Sequence, residues 1–413
     1  MAKAEKAAPV GNMVIGQSGG PTVVINQSLV GAVLGARKHK KIIKNVYGAR
    51  HGVQGILNQD LINLNDIPRA ELLRVGLTPS SALGSVRKKV TPEECRRMFD
   101  ILRAHDVHYF FYIGGNDSAE TANIVREVAE AENYDLSVFH IPKTIDNDLL
   151  GTDHCPGYGS AARFVALAFM GDDLDNRALK GIKINIVMGR HAGFLTAAAA
   201  LGRSRPDSGP HLVYVPELPF DEQQFVADVK KVYQKYGRCM IAASEGIADK
   251  DGVAIATKFV QEVDSHGNKQ LSGTGALGDY LAQLVKEGFA PEKIRVRADT
   301  FGYLQRSFCG CYSETDSREA YQVGEMAVEA AVSGVKSGTI SIIRAKGPGY
   351  KVSYKLSPLA SVAKNTTQLP RRFLNKDGNN ISKAFIEYAM PLVGPLPEVG
   401  YLEGARVKPK KIG

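Results

Sequence analysis

Residues 139–148 read FHIPKTIDND, and this stretch decides how the rest of the chain is interpreted. A short apolar run ends at Pro142, Lys143 follows at once, and the next turn carries Asp146 and Asp148. An apolar run that stops in a cluster of charges is typical of a buried strand whose carboxyl end opens on a cleft, where ligands of open α/β sheets bind. Taken alone, these residues fit a surface turn with offsetting charges at least as well.

The same pattern recurs along the chain: an apolar run, a glycine-rich or charged turn, and then a helical periodicity. Strands are predicted at residues 13–16, 43–47, 109–113, 139–142, 184–188, 211–215, 239–243, 294–300 and 341–344, with helices over 22–36 and 119–131 among those between them. Strands that alternate with helices form parallel sheets through right-handed crossovers. We therefore predict the α/β class, with two Rossmann-like three-layer domains, a mostly parallel sheet in each, and a cleft between them.

Composition and net charge limit which kinds of binding partner the protein is expected to have. The chain has 413 residues, is 44% hydrophobic and carries a net charge of +9 that is spread along the sequence. Without a basic stripe, interleaved aromatics or a known module, nucleic acid is not a predicted partner, whereas phosphorylated substrates are consistent with the positive charge. No apolar run approaches membrane-span length, and no apolar segment follows the charged N-terminus, so neither a membrane helix nor a signal peptide is expected. Five scattered cysteines predict reduced thiols and a cytoplasmic protein.

The residues at the predicted strand ends narrow the chemistry. They comprise Gly19 and Gly20, 114–118, 143–148, 188–190, Glu245 and 303–306. The dinucleotide glycine fingerprint with its downstream acid, the Walker lysine and the serine-hydrolase elbow are all missing from these positions. Glycine turns, several bases and carboxylates able to hold a metal or accept a proton fit phosphoryl transfer, which needs phosphate positioning, a divalent cation and a base.

Six motifs now carry a family resemblance. They are SGG (18–20), GGNDS (114–118), PKTIDND (142–148), MGR (188–190), SEG (244–246) and GYLQR (302–306). Their order and spacing resemble the 6-phosphofructokinases, and most closely the pyrophosphate-dependent branch. The resemblance runs from about Met13 to Ser317, about three quarters of the chain.

The resemblance implies an Mg²⁺-dependent, reversible transfer of phosphate from inorganic pyrophosphate to the 1-hydroxyl of fructose 6-phosphate, a step of glycolysis and gluconeogenesis. It implies a donor domain of residues 10–157 plus about 305–350, and a sugar domain of residues 158–304 plus the C-terminal tail. It also implies a homodimer or homotetramer whose sites are completed by the neighbouring subunit.

Roles for individual residues follow from the resemblance. Asp146 would be the base that takes the proton of the 1-hydroxyl, and Arg190 would neutralise charge in the transition state. The implied substrate-binding residues are Thr144, Ile145, Asp148, Met188, Gly189, Glu245, Arg297, Tyr303 and Arg306. Among these, Tyr303 and Arg306 would bind the 6-phosphate, and Arg297 would reach in from a neighbouring subunit.

Two positions bear on the phosphate donor. The nucleotide-dependent branch typically has glycine where this chain has Asp117 and Lys143. A carboxylate at 117 would repel a nucleotide's α-phosphate, since two like charges ~4 Å apart cost about 4 kcal/mol near a protein surface. The Lys143 ammonium can pair with the transferring or leaving phosphate. The candidates for holding the pyrophosphate are Gly19, Gly20, Arg87 and Lys88.

The sequence departs from the family pattern at three places. Asn116 stands where family members commonly have an aspartate that binds the metal. It is the predicted metal ligand here, although an amide oxygen carries no charge. Gly181 falls near a cross-subunit arginine, so that Lys180 or Lys183 would have to replace it. Tyr303 replaces a histidine, a mild change because both donate to phosphate.

Two alternatives stay open at this stage. One is an ATP-dependent 6-phosphofructokinase. The other is a non-catalytic regulator that binds sugar phosphates, which Asn116 alone favours. Neither the use of another sugar phosphate, such as sedoheptulose 7-phosphate, nor the role of the last 58 or so residues follows from the sequence.

Overall fold

The computed structural model describes residues 8–259, 275–347, 349–363 and 366–410. Its strands are β1 (Gly11–Gln17), β2 (Ile43–Ala49), β3 (Leu61–Asn63), β4 (Val107–Gly114), β5 (Ser137–Pro142), β6 (Gly181–Val187), β7 (Leu212–Tyr214), β8 (Arg238–Ser244), β9 (Val296–Thr300), β10 (Ser337–Arg344) and β11 (Val352–Ser357). Its helices are α1 (Ile25–Lys38), α2 (Val53–Leu57), α3 (Arg69–Leu77), α4 (Pro92–Ala104), α5 (Asn116–Ala131), α6 (Tyr158–Leu179), α7 (Phe194–Ala198), α8 (Glu222–Tyr236), α9 (Ala276–Phe289), α10 (Glu314–Val332) and α11 (Lys383–Val393).

The strands form two sheets. The larger has seven strands in the order β11-β10-β5-β4-β1-β2-β3, and the smaller has four in the order β7-β8-β6-β9. All pairs are parallel except at the two edges of the larger sheet, where β2–β3 and β10–β11 are antiparallel. The predicted α/β class with two mostly parallel sheets is confirmed.

Each sheet is buried on both faces, which gives three layers. In β1, Met13 and Ile15 face one core, formed with α1 and α10, while Val14 faces another, formed with α4 and α5. The smaller sheet is covered by α6, α7 and α11 on one face and by α8 and α9 on the other. Strands buried on both faces read as continuous apolar runs, which explains why they were visible in the sequence.

Several boundaries differ from the prediction. Helix α1 begins at Ile25 rather than at residue 22. The Thr22 hydroxyl accepts a hydrogen bond from the Val24 amide (3.3 Å), and this contact holds a turn before the first helical residue. Strand β11 and helix α11 were not predicted, since the region after residue 344 is rich in Lys, Pro and Gly.

We propose that the domains follow the sheets, with residues 10–157 and about 305–350 around the larger sheet and 158–304 with the C-terminal tail around the smaller one. Strand β11 extends the larger sheet to Ser357, while α11 packs in the core of the smaller sheet with α6. None of the helices that the structure describes has both the length and the apolar character that a membrane span requires.

Helices α1 and α10 cross with almost no space between their backbones. A Cβ added at Gly324 would lie 2.1 Å from the Ser28 carbonyl oxygen, and one at Gly31 would lie 2.0 Å from the Tyr321 carbonyl oxygen. Both atoms are backbone and cannot rotate away. The two glycines therefore set the distance between the helices that cover the larger sheet.

We expect Gly324→Ala to lower the free energy of unfolding by about 1–3 kcal/mol, because the added methyl group overpacks the helix crossing. The matched control is Gly171→Ala in α6, where nothing lies within 4 Å of the added Cβ. That substitution should stabilise the protein by about 0.5–1 kcal/mol through helix propensity. Denaturant unfolding of the two variants measures both effects, and equal stabilities would contradict the close crossing.

Candidate active site

A cavity of about 590 Å³ lies between the two sheets, at the carboxyl ends of the parallel strands. The loops after β1, β4 and β5 line it from the larger sheet, and the loops after β6, β8 and β9 line it from the smaller sheet. The predicted site residues in its wall are Gly19, Gly20, Arg87, Lys88, Asn116, Asp117, Lys143, Thr144, Ile145, Asp146, Asp148, Met188, Arg190, Glu245 and Arg306.

Three predicted residues do not line this cavity. Gly189 lies just behind the wall, where its amide donates to Glu245 Oε1 at 3.4 Å. Tyr303 is 40% exposed and lies beside the cavity, with the Arg306 guanidinium 4.5 Å above its ring. Arg297, on β9, donates to the neighbouring Val296 carbonyl.

The acidic turn, residues 144–148, is folded around one hydroxyl group. Thr144 Oγ1 accepts a hydrogen bond from the Asp146 amide (3.1 Å) and donates to Asp148 Oδ1 (3.2 Å). Asn147, between the two acids, has a φ of 60°. The turn thus presents both carboxylates to the cavity from a fixed backbone.

Asp146 has the protonation behaviour of a general base. Its Oδ1 atom is buried and has no hydrogen-bond partner among the described residues. Burial, followed by the negative charges of Asp148 and Glu245, raises the pKa of Asp146 to about 7. A carboxylate whose pKa lies near neutrality can accept a proton from a hydroxyl group at the pH of the cell.

A group of cations lies next to the acidic turn. Lys143 is 3% exposed, and its ammonium donates to the Gly20 carbonyl (2.5 Å). Burial, and then the charge of Arg306, lowers the pKa of Lys143 to about 7. Burial and then Arg87 lower the pKa of Arg306 in turn. Cations that repel one another in a buried site favour the binding of an anion there.

Two glycines lie beside these cations. A Cβ at Gly20 would lie 2.7 Å from Arg306 Nη1, and one at Gly19, whose φ is 73°, would lie 3.4 Å from Lys143 Nζ. A side chain at position 20 would displace the Arg306 guanidinium, whereas at position 19 glycine is favoured by the left-handed backbone.

The predicted donor residues have partners that the sequence did not reveal. Asp117 Oδ1 lies 3.3 Å from Lys89 Nζ, which also lies 2.7 Å from Glu120 Oε2. The ammonium of Lys88 instead pairs with Glu94 Oε1 at 2.6 Å. Lys89 and Glu120 line the cavity and were both missed. For Lys89 a signal existed, since the basic run continues from Arg87 through residue 89.

Other wall residues were also missed, among them His191 and Thr366. His191 directly follows the MGR motif, and burial followed by the charge of Arg190 lowers its pKa. Thr366 comes from the C-terminal region, far from every motif, and nothing in the sequence indicated it.

Asn116 has one feature of a metal ligand, a buried side-chain oxygen, Oδ1, that is not hydrogen-bonded within the described structure. Its amide nitrogen donates to Asp148 Oδ2 at 3.4 Å. Within the described residues, no group of three or more His, Cys, Asp or Glu side chains converges on one point. The turn and Asn116 offer oxygen ligands that suit Mg²⁺ when phosphates supply the remainder.

The two lysines that were considered for the cross-subunit arginine lie at the other end of the smaller sheet. Lys180 caps α6 and Lys183 lies early in β6, whereas the cavity is at the carboxyl end of that strand. Lys183 pairs with Asp299 and, at 3.6 Å, with Asp172. Neither lysine belongs to the cavity of its own chain.

Comparison with known proteins gives one consistent result. The family model described as Phosphofructokinase matches residues 12–331. A pyrophosphate--fructose 6-phosphate 1-phosphotransferase of Rhodospirillum rubrum is 52% identical over 400 residues, covering 96% of this chain and 98% of that protein. One of Xanthomonas campestris is 38% identical, with 93% and 91% covered.

Among solved structures, a pyrophosphate-dependent phosphofructokinase from Marinobacter aquaeolei is similar with a TM-score of 0.84 and 32% identity. The match covers 94% of this chain and 92% of that one. The resemblance noted in the sequence is confirmed, and the chain belongs to the phosphofructokinase family.

Proposed function

We propose that the protein transfers a phosphoryl group from inorganic pyrophosphate to the 1-hydroxyl of fructose 6-phosphate, reversibly and with Mg²⁺. The observation that carries this proposal is the presence of Asp117 and Lys143 in one cavity with Asp146. The proposal is supported by relatives of 36–52% identity that are named as pyrophosphate-dependent enzymes of this reaction.

On the acceptor side, Asp146 removes the proton of the 1-hydroxyl as the oxygen attacks phosphorus. Its buried Oδ1, free of protein partners among the described residues, is available to that hydroxyl. Met188, Gly189, Arg190 and Glu245 would shape the sugar pocket, with Thr144, Ile145 and Asp148 beneath the reacting carbon. Arg190 would offset the charge that develops on the transferring group.

On the donor side, Lys143 and Arg87 hold the phosphates over the glycine loop at residues 19–20. Lys88, paired with Glu94, lines the outer wall. Asp117 excludes a nucleotide: its side chain is 65% exposed at the cavity, where an α-phosphate would meet it. Inorganic pyrophosphate has no third phosphate to meet that carboxylate.

Mg²⁺ would be held by Asp146 or Asp148 with Asn116, the rest of its ligands being phosphate and water. When bound, the ion neutralises the charge of the two phosphates during transfer. The protein's own contribution is to place the carboxylates: the Thr144 hydroxyl fixes their spacing.

The 6-phosphate would bind to Tyr303 and Arg306, with Arg297 of a neighbouring copy. Arg297 and Tyr303 lie outside the cavity of their own chain, which supports sites completed across an interface in a homodimer or homotetramer. Three of the cysteines, Cys95, Cys155 and Cys239, are buried free thiols, which supports a reducing compartment such as the cytoplasm.

Asp146→Asn tests the base. The amide keeps the shape of the carboxylate but cannot take a proton, so kcat should fall by about three orders of magnitude or more while the sugar still binds. Turnover and equilibrium binding of fructose 6-phosphate are measured together. The control is Asp175→Asn on an exposed position of α6, which should leave both unchanged. Near-normal turnover of Asp146→Asn would refute the assignment.

Asp117→Gly tests the donor. Removing the carboxylate should raise kcat/KM for ATP at least tenfold, because the α-phosphate no longer meets a like charge. Wild type and variant are compared with ATP and with pyrophosphate on fructose 6-phosphate. Robust wild-type activity with ATP and none with pyrophosphate would overturn the proposed donor.

Asp146→Asn should also change the stability of the protein relative to wild type, and the difference should increase with pH. The folded-state pKa of about 7 exceeds the ordinary value of 3.8, so the wild type loses stability as pH rises from 3.8 to about 7, where the unfolded chain has already released the proton that the folded protein retains. Asparagine stays neutral throughout. The unfolding free energy of Asp146→Asn minus that of wild type should therefore increase by about 2–3 kcal/mol from pH 5 to pH 8. A difference that does not change with pH would contradict the raised pKa.

A further inference from the structure

Asn147 adopts a backbone conformation that needs external support. It lies between the two acids of the acidic turn with a φ of 60°, in the left-handed region, and it is 3% exposed. The left-handed conformation is higher in energy than the right-handed one for L-amino acids, although asparagine tolerates it better than most residues. The orientation of both carboxylates depends on this one residue, because a change in its φ would swing Asp146 and Asp148 apart.

The Asn147 carboxamide is bonded at both ends. Its Oδ1 accepts from the Cys155 amide at 2.9 Å, further along the same loop. Its Nδ2 donates to the hydroxyl of Tyr388 at 2.7 Å, a residue 241 positions away on α11. The same hydroxyl donates to the Asp153 carbonyl at 2.8 Å. One phenol oxygen thus joins the acidic turn to the loop that follows it.

Tyr388 is itself rigidly held. Its ring packs against Phe194, Phe373 and Phe385, with centroids 5.1–6.2 Å apart. The Arg344 guanidinium lies 5.0 Å from the ring and donates to the Tyr388 carbonyl at 2.7 Å. With packing on one side and an arginine on the other, the hydroxyl has little freedom to move away from Asn147.

A second contact from the same region reaches the acidic turn. The Thr367 amide donates to the Asp148 carbonyl at 2.8 Å. Thr367, Arg344 and Tyr388 all follow residue 331, where the match to the family model ends. The turn that carries the catalytic carboxylates is therefore supported by a part of the chain that lies beyond the match to the family model.

We propose that Tyr388 is a positioning residue for catalysis: through Asn147 its hydroxyl fixes the backbone that aims Asp146 and Asp148 at the reacting hydroxyl and phosphate. This inference rests on the proposed function, since it takes Asp146 to be the base. It assigns the C-terminal helix a task in turnover, beyond its packing against α6. Tyr388 acts through Asn147, and it has no place in the wall of the cavity as described.

The test is Tyr388→Phe, which removes the hydroxyl and keeps the ring in its aromatic pocket. We expect kcat to fall about tenfold or more, with KM for both substrates within about twofold, because the binding residues lie on other loops while the base is misaligned. The matched control is Tyr233→Phe on α8, a partly buried tyrosine that packs on Phe289 in the other core of the smaller sheet. It should leave kcat and KM unchanged.

Asn147→Gly supplies the second arm. Glycine adopts a φ of 60° without strain, so the substitution deletes the carboxamide and keeps the backbone conformation accessible. If the hydroxyl acts through Asn147, kcat should fall in this variant too, and adding Tyr388→Phe should cause little further loss. Should Tyr388→Phe fail to fold, Asn147→Gly against wild type decides the question by the same kcat and KM criteria.

The outcomes separate the two proposals. Wild-type activity with either donor, together with unchanged kcat in Tyr388→Phe, overturns the positioning role and leaves the proposed base intact. Losses that multiply in the double variant, or a rise in KM equal to the fall in kcat, also overturn it, because they indicate general loosening of the fold. A wild type inactive with both pyrophosphate and ATP refutes the proposed function, and the positioning role with it.

Discussion

The structure depends on the burial of opposite charges at the ends of parallel strands. Lys143 and Asp146 lie in one cleft, and burial shifts the pKa of each towards 7 from opposite sides. Neither charge would be stable there without the other and without the hydrogen bonds around them. Cations and a buried carboxylate fixed in one cleft suit phosphoryl transfer, which needs charges that hold phosphate and a base that accepts the proton of a hydroxyl group.

The cleft exists because two sheets direct their carboxyl ends at each other, and one contact shows how close they come. Arg306, in the segment that follows β9 of the smaller sheet, reaches so near Gly20 in the loop after β1 of the larger sheet that a Cβ there would lie 2.7 Å from its Nη1. The pocket for phosphate is therefore lined by segments that follow strands of both sheets. A change in their separation would alter the repulsion among Lys143, Arg306 and Arg87, so donor binding and the relative position of the sheets are linked.

What the sequence could reveal was local. The apolar run before Lys143 and the glycines at 19–20 can each be recognised from a few neighbouring residues. The topology of an α/β sheet then brings the carboxyl ends of its strands together. The ion pair between Lys89 and Asp117 spans 28 positions and could not be inferred from either residue alone. Edge strand β11 was missed for a related reason: three of its six residues are exposed and one is buried, so it lacks the apolar run of a buried strand.

The support of Asn147 by Tyr388 is the extreme case of a contact that no local pattern encodes. The acidic turn has one internal anchor, the Thr144 hydroxyl, and that anchor reaches Asp146 and Asp148 but not the residue between them. A short turn that carries two mutually repelling acids will relax unless something outside it fixes the central residue. Helix α11 packs against the core of the smaller sheet and provides that support. The ring of its Tyr388 is in contact with three aromatic rings and an arginine. On the proposed role of Tyr388, the orientation of the base depends on a helix that does not line the cavity. The chain beyond residue 331, where the match to the family model ends, therefore belongs in any account of its chemistry.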